Sequence, residues 1–291
     1  MLQVARVAPP QLGESRDLVA SFFESCLNPD GGFRNRAGES DLYYTVFGLD
    51  GLCALQAPLP GAAVLSYVDR FGYGATLDFV HLTCLIRICA ALRAVNSGHP
   101  PRALLHHLER YRAADGGYSH SVGATSGSAY AAYLALGAHQ DLGAQIPDPD
   151  RFIQALGRLK ADDGGYSNQP GERCGLTPAT AGVVAALRQL DAPIEPHLGM
   201  WLLDRCHSSG GFLATPDAPM PDLLSTATAL HALAGLQVPL GGLADRCLDF
   251  VDSLWTNRGG FFGSWADDDV DCEYTYYGLL AIGHATLANQ A

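Results

Sequence analysis

Lysine is all but missing from this chain of 291 residues: Lys160 stands alone, and every other basic side chain is arginine. Charged residues of any kind make up only 16% of the chain, and the net charge is −12. That balance excludes a surface built for nucleic acid or for an anionic membrane, because both are polyanions that would repel it. No stretch of 18 uninterrupted apolar residues occurs, so no membrane-spanning helix is expected. The first residues, MLQVARVAPPQLGESRDL, lack the apolar centre of a secretory leader. Eight cysteines are present, without a C-x-x-C pair and without dense disulfide spacing. Most lie in apolar stretches, such as Cys84 and Cys89 in LTCLIRICAAL, where a thiol packs as a small hydrophobe. A reducing cytoplasm is the expected compartment. Disorder is excluded too, since 48% of the residues are hydrophobic.

What the chain has in abundance is a repeated turn. Asp30-Gly31-Gly32-Phe33 returns as Asp115-Gly116-Gly117-Tyr118, Asp163-Gly164-Gly165-Tyr166, Ser209-Gly210-Gly211-Phe212 and Arg258-Gly259-Gly260-Phe261, with a degenerate copy at Gly72-Tyr73-Gly74. The steps between copies are 41, 44, 48, 46 and 49 residues, so six units fill the chain. Before each turn runs an amphipathic segment, such as RALLHHLERYRAADGGY, with apolar residues at helical spacing. After it come a polar loop and a second segment that is apolar nearly all round: YYTVFGLDGLCAL, SAYAAYLAL, ATAGVVAALRQL, STATALHALAGL and EYTYYGLLAIGHA. A helix apolar on every face is buried, whereas one with a charged face borders water. The expected fold class is therefore all-α, an (α/α)6 barrel or toroid of six helix-pair repeats. It forms one domain over residues 1–291, with repeats beginning near Gly31, Gly72, Gly116, Gly164, Gly210 and Gly259. The alternative is an open helical solenoid; six pairs without a polar capping repeat favour closure.

These units resemble the prenyltransferase and squalene-cyclase repeat over the whole chain, most visibly in GGFRNRAGESDLYYTVFGL, GGFLATPDAPMPDLLSTATAL and GGFFGSWADDDVDCEYTYYGL. The resemblance implies an (α/α)6 barrel with an apolar centre for isoprenoid chains. It implies no single activity, because protein prenylation and terpene cyclisation share the fold. Protein prenyltransferases hold a catalytic zinc with an Asp and a Cys two residues apart in the fifth repeat and a His in the sixth. The matching positions are Asp222, Leu224 and Tyr274, so only the aspartate is kept. The family's diphosphate-binding Arg and Lys fall on Pro216 and Pro219, its fourth-repeat His near Gly175, and a third-repeat Arg on Gly127. Squalene-hopene-type cyclases protonate an alkene with the middle aspartate of D-x-D-D-T-A. Asp222-Leu223-Leu224-Ser225-Thr226-Ala227 keeps that frame without the second and third acids, and Asp271 and Glu273 in the sixth repeat stand as a partial substitute.

Several clusters remain. The run from Asp267 to Glu273 fits Mg²⁺, which prefers carboxylate oxygens, or a general acid of raised pKa, since close carboxylates resist ionising together. It also fits a solvated loop with Asp271 as a helix cap. Asp41, Asp78, Asp222 and Asp271 all precede the apolar segments, where aspartate caps free N–H groups at about 0.5–2 kcal/mol each. Tyrosines and Phe47 on those segments either pack or line the barrel, where ring faces suit isoprenoids and carbocations. Closure would bring residues 43–47 beside 274–277. Cys174, Cys272, His81, His120 and His207 show no metal-ligand spacing. Arg34, Arg36 and Arg173 are candidates for an anion or for plain solvation.

The function these residues point to is an isoprenoid-handling enzyme of the prenyltransferase and terpene cyclase superfamily with a non-standard site. Asp222, Asp271 and Glu273 are its candidate catalytic acids; Tyr44, Phe47, Tyr130, Tyr274, Tyr277 and Arg173 are its candidate substrate-binding residues. No cofactor is demanded: Mg²⁺ is compatible with the acidic run, and zinc is disfavoured. The expected partner is an isoprenoid or other apolar small molecule. Two alternatives stay open, a non-catalytic barrel binding lipid or protein, and a zinc-dependent prenyltransferase β subunit with a helical partner subunit that nothing in the residues indicates.

Overall fold

The computed structural model of the chain describes residues 1–96 and 103–290. Among these, the helices are α1 (Leu2–Ala5), α2 (Pro9–Leu12), α3 (Ser15–Ser25), α4 (Leu42–Ala54), α5 (Gly61–Val68), α6 (Phe79–Asn96) and α7 (Ala103–Leu108). They continue with α8 (Ala129–Asp141), α9 (Pro149–Gly157), α10 (Thr177–Gln189), α11 (Leu198–Leu203), α12 (Leu223–Gly235), α13 (Leu243–Asp252) and α14 (Cys272–Ala288). One small hairpin, β1 (Phe33–Arg34) and β2 (Ser40–Asp41), pairs Phe33 with Asp41 and Arg34 with Ser40. From α3 onward the odd-numbered helices precede the glycine turns and the even-numbered ones follow them.

The turn between the two helices of a repeat is fixed by its residues. Its aromatic is buried every time: Phe33, Tyr118, Tyr166, Phe212 and Phe261. In four repeats the aromatic's N–H donates to a threonine in the following helix: Phe33 to Thr45 at 3.0 Å, Tyr166 to Thr180 at 2.8 Å, Phe212 to Thr226 at 2.9 Å, and Phe261 to Thr275 at 3.3 Å. Where the turn keeps its aspartate, Oδ1 gathers loop N–H groups: Asp163 accepts from Gly165 and Gly175, both at 3.0 Å. The four capping aspartates do what their positions predict. Asp41, Asp78, Asp222 and Asp271 accept from the N–H groups of Tyr43, His81, Ser225 and Tyr274 at 2.7, 2.9, 2.7 and 2.9 Å.

The chain divides into two compact units. One comprises Met1–Pro29, Phe33–Leu59 and Pro196–Ala291; the other comprises Asp30–Gly32 and Pro60–Glu195. In the second unit α8 packs between α6 and α10, with α5 and α7 against α6. In the first, α14 packs between α12 and α4, with α13 and α1 against α14 and α3 against α4. The last apolar helix thus packs against the first. Gly259 shows how tightly: its φ is +91°, and a Cβ there would sit 2.4 Å from the Leu18 carbonyl oxygen in α3. No described helix is long and apolar enough to cross a membrane.

Candidate functional site

The unit built from the first, fifth and sixth repeats holds most of the candidate residues. Its hairpin closes on a tight loop: Asn35 N–H donates to the Glu39 carbonyl at 2.7 Å, while Asn35 Oδ1 accepts from Ala37 and Glu39 N–H at 2.9 and 3.0 Å. This loop presents Arg36 to the sixth repeat. Arg36 Nε lies 2.7 Å from Asp271 Oδ2, and Nη1 lies 3.1 Å from Asp267 Oδ1. Donating to Asp267, and then to Asp271, holds the guanidinium firmly charged. Its plane carbon stands 5.5 Å from the Tyr274 ring centre. Arg36 is therefore committed to carboxylates, not presented to an incoming anion. Asp271 is only 3% exposed and also caps α14.

Glu273 lies on the first turn of α14 and points at α4, where Tyr43 Oη donates to its Oε1 at 2.6 Å. Burial pushes the Glu273 carboxyl up to about 7; the Tyr43 bond pulls down, Asp271 pushes further up and Arg36 opposes it. Around this pair the rings meet edge to face on α4 and tilted across to α14. Tyr43 is 5.0 Å from Phe47 and 5.6 Å from Tyr44, and Phe47 is 5.5 Å from Tyr277 and 5.8 Å from Tyr276. Tyr43 with Phe47, and Glu273 with Tyr277, are i, i+4 pairs on facing helices. Tyr43, Tyr44, Phe47, Glu273, Tyr274 and Tyr277 are all half-buried, while Thr45, Val46, Gly48, Thr275 and Gly278 beside them are buried. The stripe thus borders the core without being sealed in it. Burial, followed by Asp271 and Glu273, pushes the Tyr44 phenol up to about 12; burial followed by Glu273 and Asp222 does the same to Tyr274. Both stay neutral near pH 7.

Asp222 sits at the start of α12, and Leu223 N–H donates to the Gly263 carbonyl at 2.8 Å, tying this helix start to the sixth repeat's loop. Its Oδ1 accepts from Ser225 N–H and its Oδ2 from Ser225 Oγ, both at 2.7 Å. Burial raises its pKa against the pull of those bonds. Asp222, Asp271, Glu273, Tyr44, Phe47, Tyr274 and Tyr277 therefore share one unit. Tyr130 and Arg173 belong to the other. Tyr130 is 36% exposed and stacks on His120, with centroids 5.6 Å apart and planes 21° apart. Arg173 is exposed, and its backbone carbonyl accepts from Asp163 N–H at 3.1 Å.

Two features escape the sequence. Tyr43, counted there only among the tyrosines of the apolar segments, is the partner of Glu273. His231 on α12 and His284 on α14 pair, Nδ1 to Nε2, at 3.0 Å. No pattern announces that pair, since His231 lies nine residues after its helix's capping aspartate and His284 thirteen after its own.

A sequence model of the prenyltransferase alpha-alpha toroid domain matches residues 14–100 and 132–289, well over half of the chain. The chain belongs to this family. Its fold is the all-α toroid that the repeat predicts. No curated protein matches it in sequence. Among solved structures, it is similar to Candida albicans protein geranylgeranyltransferase-I complexed with GGPP, at TM-score 0.69 and 15% identity, over 91% of this chain and 89% of that one. It is also similar to the type II terpene cyclase MstE from Scytonema, at TM-score 0.63 and 10% identity, over 97% and 99%. The GH76A alpha-1,6-mannanase from Salegentibacter resembles it too, at TM-score 0.59 and 13% identity, over 94% and 99%. At such identities the likeness is one of fold.

Proposed function

We propose that this member of the toroid family is an enzyme that binds an isoprenoid against the aromatic stripe of α4 and α14 and acts on it by proton transfer from Glu273. The observation that carries this reading is the Glu273–Tyr43 pair: a carboxyl that titrates near neutrality, set on a half-buried wall of neutral aromatic rings. The family to which the chain belongs, and the geranylgeranyltransferase and terpene cyclase that share its fold, support an isoprenoid as the ligand.

Glu273 still carries its proton about half of the time near pH 7, because burial disfavours its anion. Asp271 acts through it, since its nearby charge helps keep that proton on. An acid of this strength transfers its proton more readily to oxygen than to a bare alkene, so an epoxide-bearing or hydroxylated isoprenoid is the favoured substrate class. The cation formed would lie against the faces of Tyr44, Phe47, Tyr274 and Tyr277, worth about 0.5–2 kcal/mol per well-placed ring. Diphosphate ionisation is disfavoured here because Arg36, the cation at this site, is held by Asp267 and Asp271. The donors at the family's zinc positions do not fit that metal. Both Asp222 oxygens bind Ser225, Leu224 has no donor, and Tyr274 keeps its proton. Eight free thiols suit the cytoplasm expected from composition.

The test is to incubate the protein with farnesyl and geranylgeranyl epoxides and, separately, with the matching diphosphates, and to analyse products by mass spectrometry. Conversion of an oxygenated isoprenoid, reduced about a hundredfold or more in Glu273→Gln, is expected. Neither binding nor conversion of any of these compounds, or a Glu273→Gln variant as active as the parent, would overturn the reading.

A further inference from the structure

The structure brings two buried thiols together from opposite ends of the chain. Cys26 caps the C-terminus of α3 and Cys272 opens α14, 246 residues later, and their side chains hydrogen-bond to each other. Both are held in place by backbone. The Cys26 carbonyl accepts from Arg34 N–H at 2.9 Å, and the next residue, Leu27, pairs with Phe33. Phe22, one turn earlier in α3, lies against the turn of the sixth repeat, where a Cβ on Gly260 would come within 3.0 Å of its ring. Cys272 follows the cap Asp271, which accepts from the N–H groups of Tyr274 and Thr275. Cys26 is 3% exposed and Cys272 wholly buried.

We propose that Cys26 and Cys272 form an oxidisable dithiol, which hydrogen peroxide converts into a reversible disulfide between the first and sixth repeats. Cys26 is the attacking sulfur. The hydrogen bond from Cys272, helped by the Arg34 charge and the Ser25 hydroxyl, draws the Cys26 thiol below its ordinary pKa, against burial and the charge of Asp271. Burial, then donation to Cys26, keeps Cys272 well above that value, so it holds its proton. One sulfur is thus prepared as a thiolate, and the other stands at hydrogen-bond distance as its resolving partner. Cys247, equally buried, offers the contrast: its thiol donates to the Gly210 carbonyl at 3.1 Å, and burial pushes it up to about 12.

The Cys26 thiolate attacks one peroxide oxygen, the O–O bond breaks, and the departing hydroxide takes a proton to become water. The sulfur, oxidised by two electrons, is left as a sulfenic acid. The Cys272 sulfur then closes the S–S bond, and its proton leaves with the sulfenic hydroxyl as a second water. Two thiols and one peroxide give one disulfide and two waters, and a dithiol reductant reverses the change by exchange. Hydrogen peroxide, little larger than water, suits the small part of Cys26 that solvent reaches. Cys272 also stands between Asp271, held by Arg36, and Glu273, held by Tyr43. An S–S bond of about 2.05 Å is far shorter than a hydrogen bond between sulfurs, so closing it draws the first turn of α14 toward α3 and carries Glu273 with it. Control of turnover by this disulfide rests on the acid role of Glu273 stated above; formation of the disulfide does not.

The experiment treats the full-length protein with hydrogen peroxide, alkylates the remaining thiols with N-ethylmaleimide as the protein is denatured, and maps its peptides by mass spectrometry. A Cys26–Cys272 cross-linked peptide that dithiothreitol removes is expected, with Cys247 recovered alkylated. In Cys272→Ser the reaction should stop at a Cys26 sulfenic acid, trapped by dimedone; in Cys26→Ser, Cys272 should be recovered as a thiol. Recovery of both as free thiols after exposed Cys174 has been oxidised would end the proposal, and so would scrambled pairing with the other cysteines. Should a serine variant fail to fold, the peptide map of the parent protein decides alone. On an oxygenated isoprenoid, the disulfide should slow turnover roughly tenfold or more, and dithiothreitol should restore it. A disulfide that forms and leaves turnover unchanged removes the control of the site. A disulfide that forms in a protein converting no isoprenoid sinks the acid reading and upholds the dithiol.

Discussion

At the scale of single residues, two buried titratable groups pull the stability of this protein in opposite directions with pH. His284 is kept neutral, with a folded pKa of about 3 against an ordinary 6.5. Below about pH 6.5 the unfolded chain binds a proton that the folded one refuses, so its contribution is lost as pH falls toward 3, by about 1.4 kcal/mol per unit. Glu273 does the reverse, with a folded pKa of about 7 against an ordinary 4.5. Its contribution is present in acid and is lost as pH rises from about 4.5 through 7, at a similar slope. Between about pH 4.5 and 6.5 the two nearly cancel. Denaturant unfolding across that window should show His284→Gln losing stability, and Glu273→Gln gaining it, as pH rises relative to the parent. Parallel curves for all three proteins would mean that neither group is perturbed as the structure implies. Under the proposed function, turnover itself should fall above about pH 7, as Glu273 loses its proton.

At the scale of elements, the caps and the hairpin can be separated by mutation. Asp222→Ala removes the cap of α12 and should cost about 1 kcal/mol in a melt, whereas Asp222→Asn keeps an acceptor and should cost only a few tenths. A much larger loss in the asparagine variant would show that the charge itself matters there. Arg36→Ala should cost more, about 2 kcal/mol, because it strands the buried Asp271 carboxylate. Asp267→Asn, whose partner keeps its second carboxylate, should cost under about 1 kcal/mol in the same measurement. The element pattern itself was legible in the chain. Paired glycines with a following aromatic recur in five units and a capping aspartate in four, and each acts within a dozen or so residues of its partner. The threonines that receive the aromatic N–H groups carried a periodic signal as well, at 180, 226 and 275, each 14 residues past the aromatic.

At the scale of the molecule, the sixth repeat packs closely on the first. Gly259→Ala places a methyl group against the Leu18 carbonyl and forces a side-chain residue to φ +91°, so it should cost about 3 kcal/mol or more. Gly171→Ala, with φ +80° but open space around it, carries only the conformational penalty, about 1 kcal/mol. Equal melting temperatures for the two variants would mean that the contact between first and last repeats is slack. The repeat alone determined that the protein is all-helical, that it has six helix pairs, where each apolar helix begins and which face is buried, because those features rest on periods that local sequence carries. Only the tertiary structure decided that Arg36 spends its charge on Asp267 and Asp271, that Tyr43 holds Glu273, and that His231 meets His284. Those partners stand 231, 235, 230 and 53 residues apart, and no local period records which side chains meet when distant helices pack.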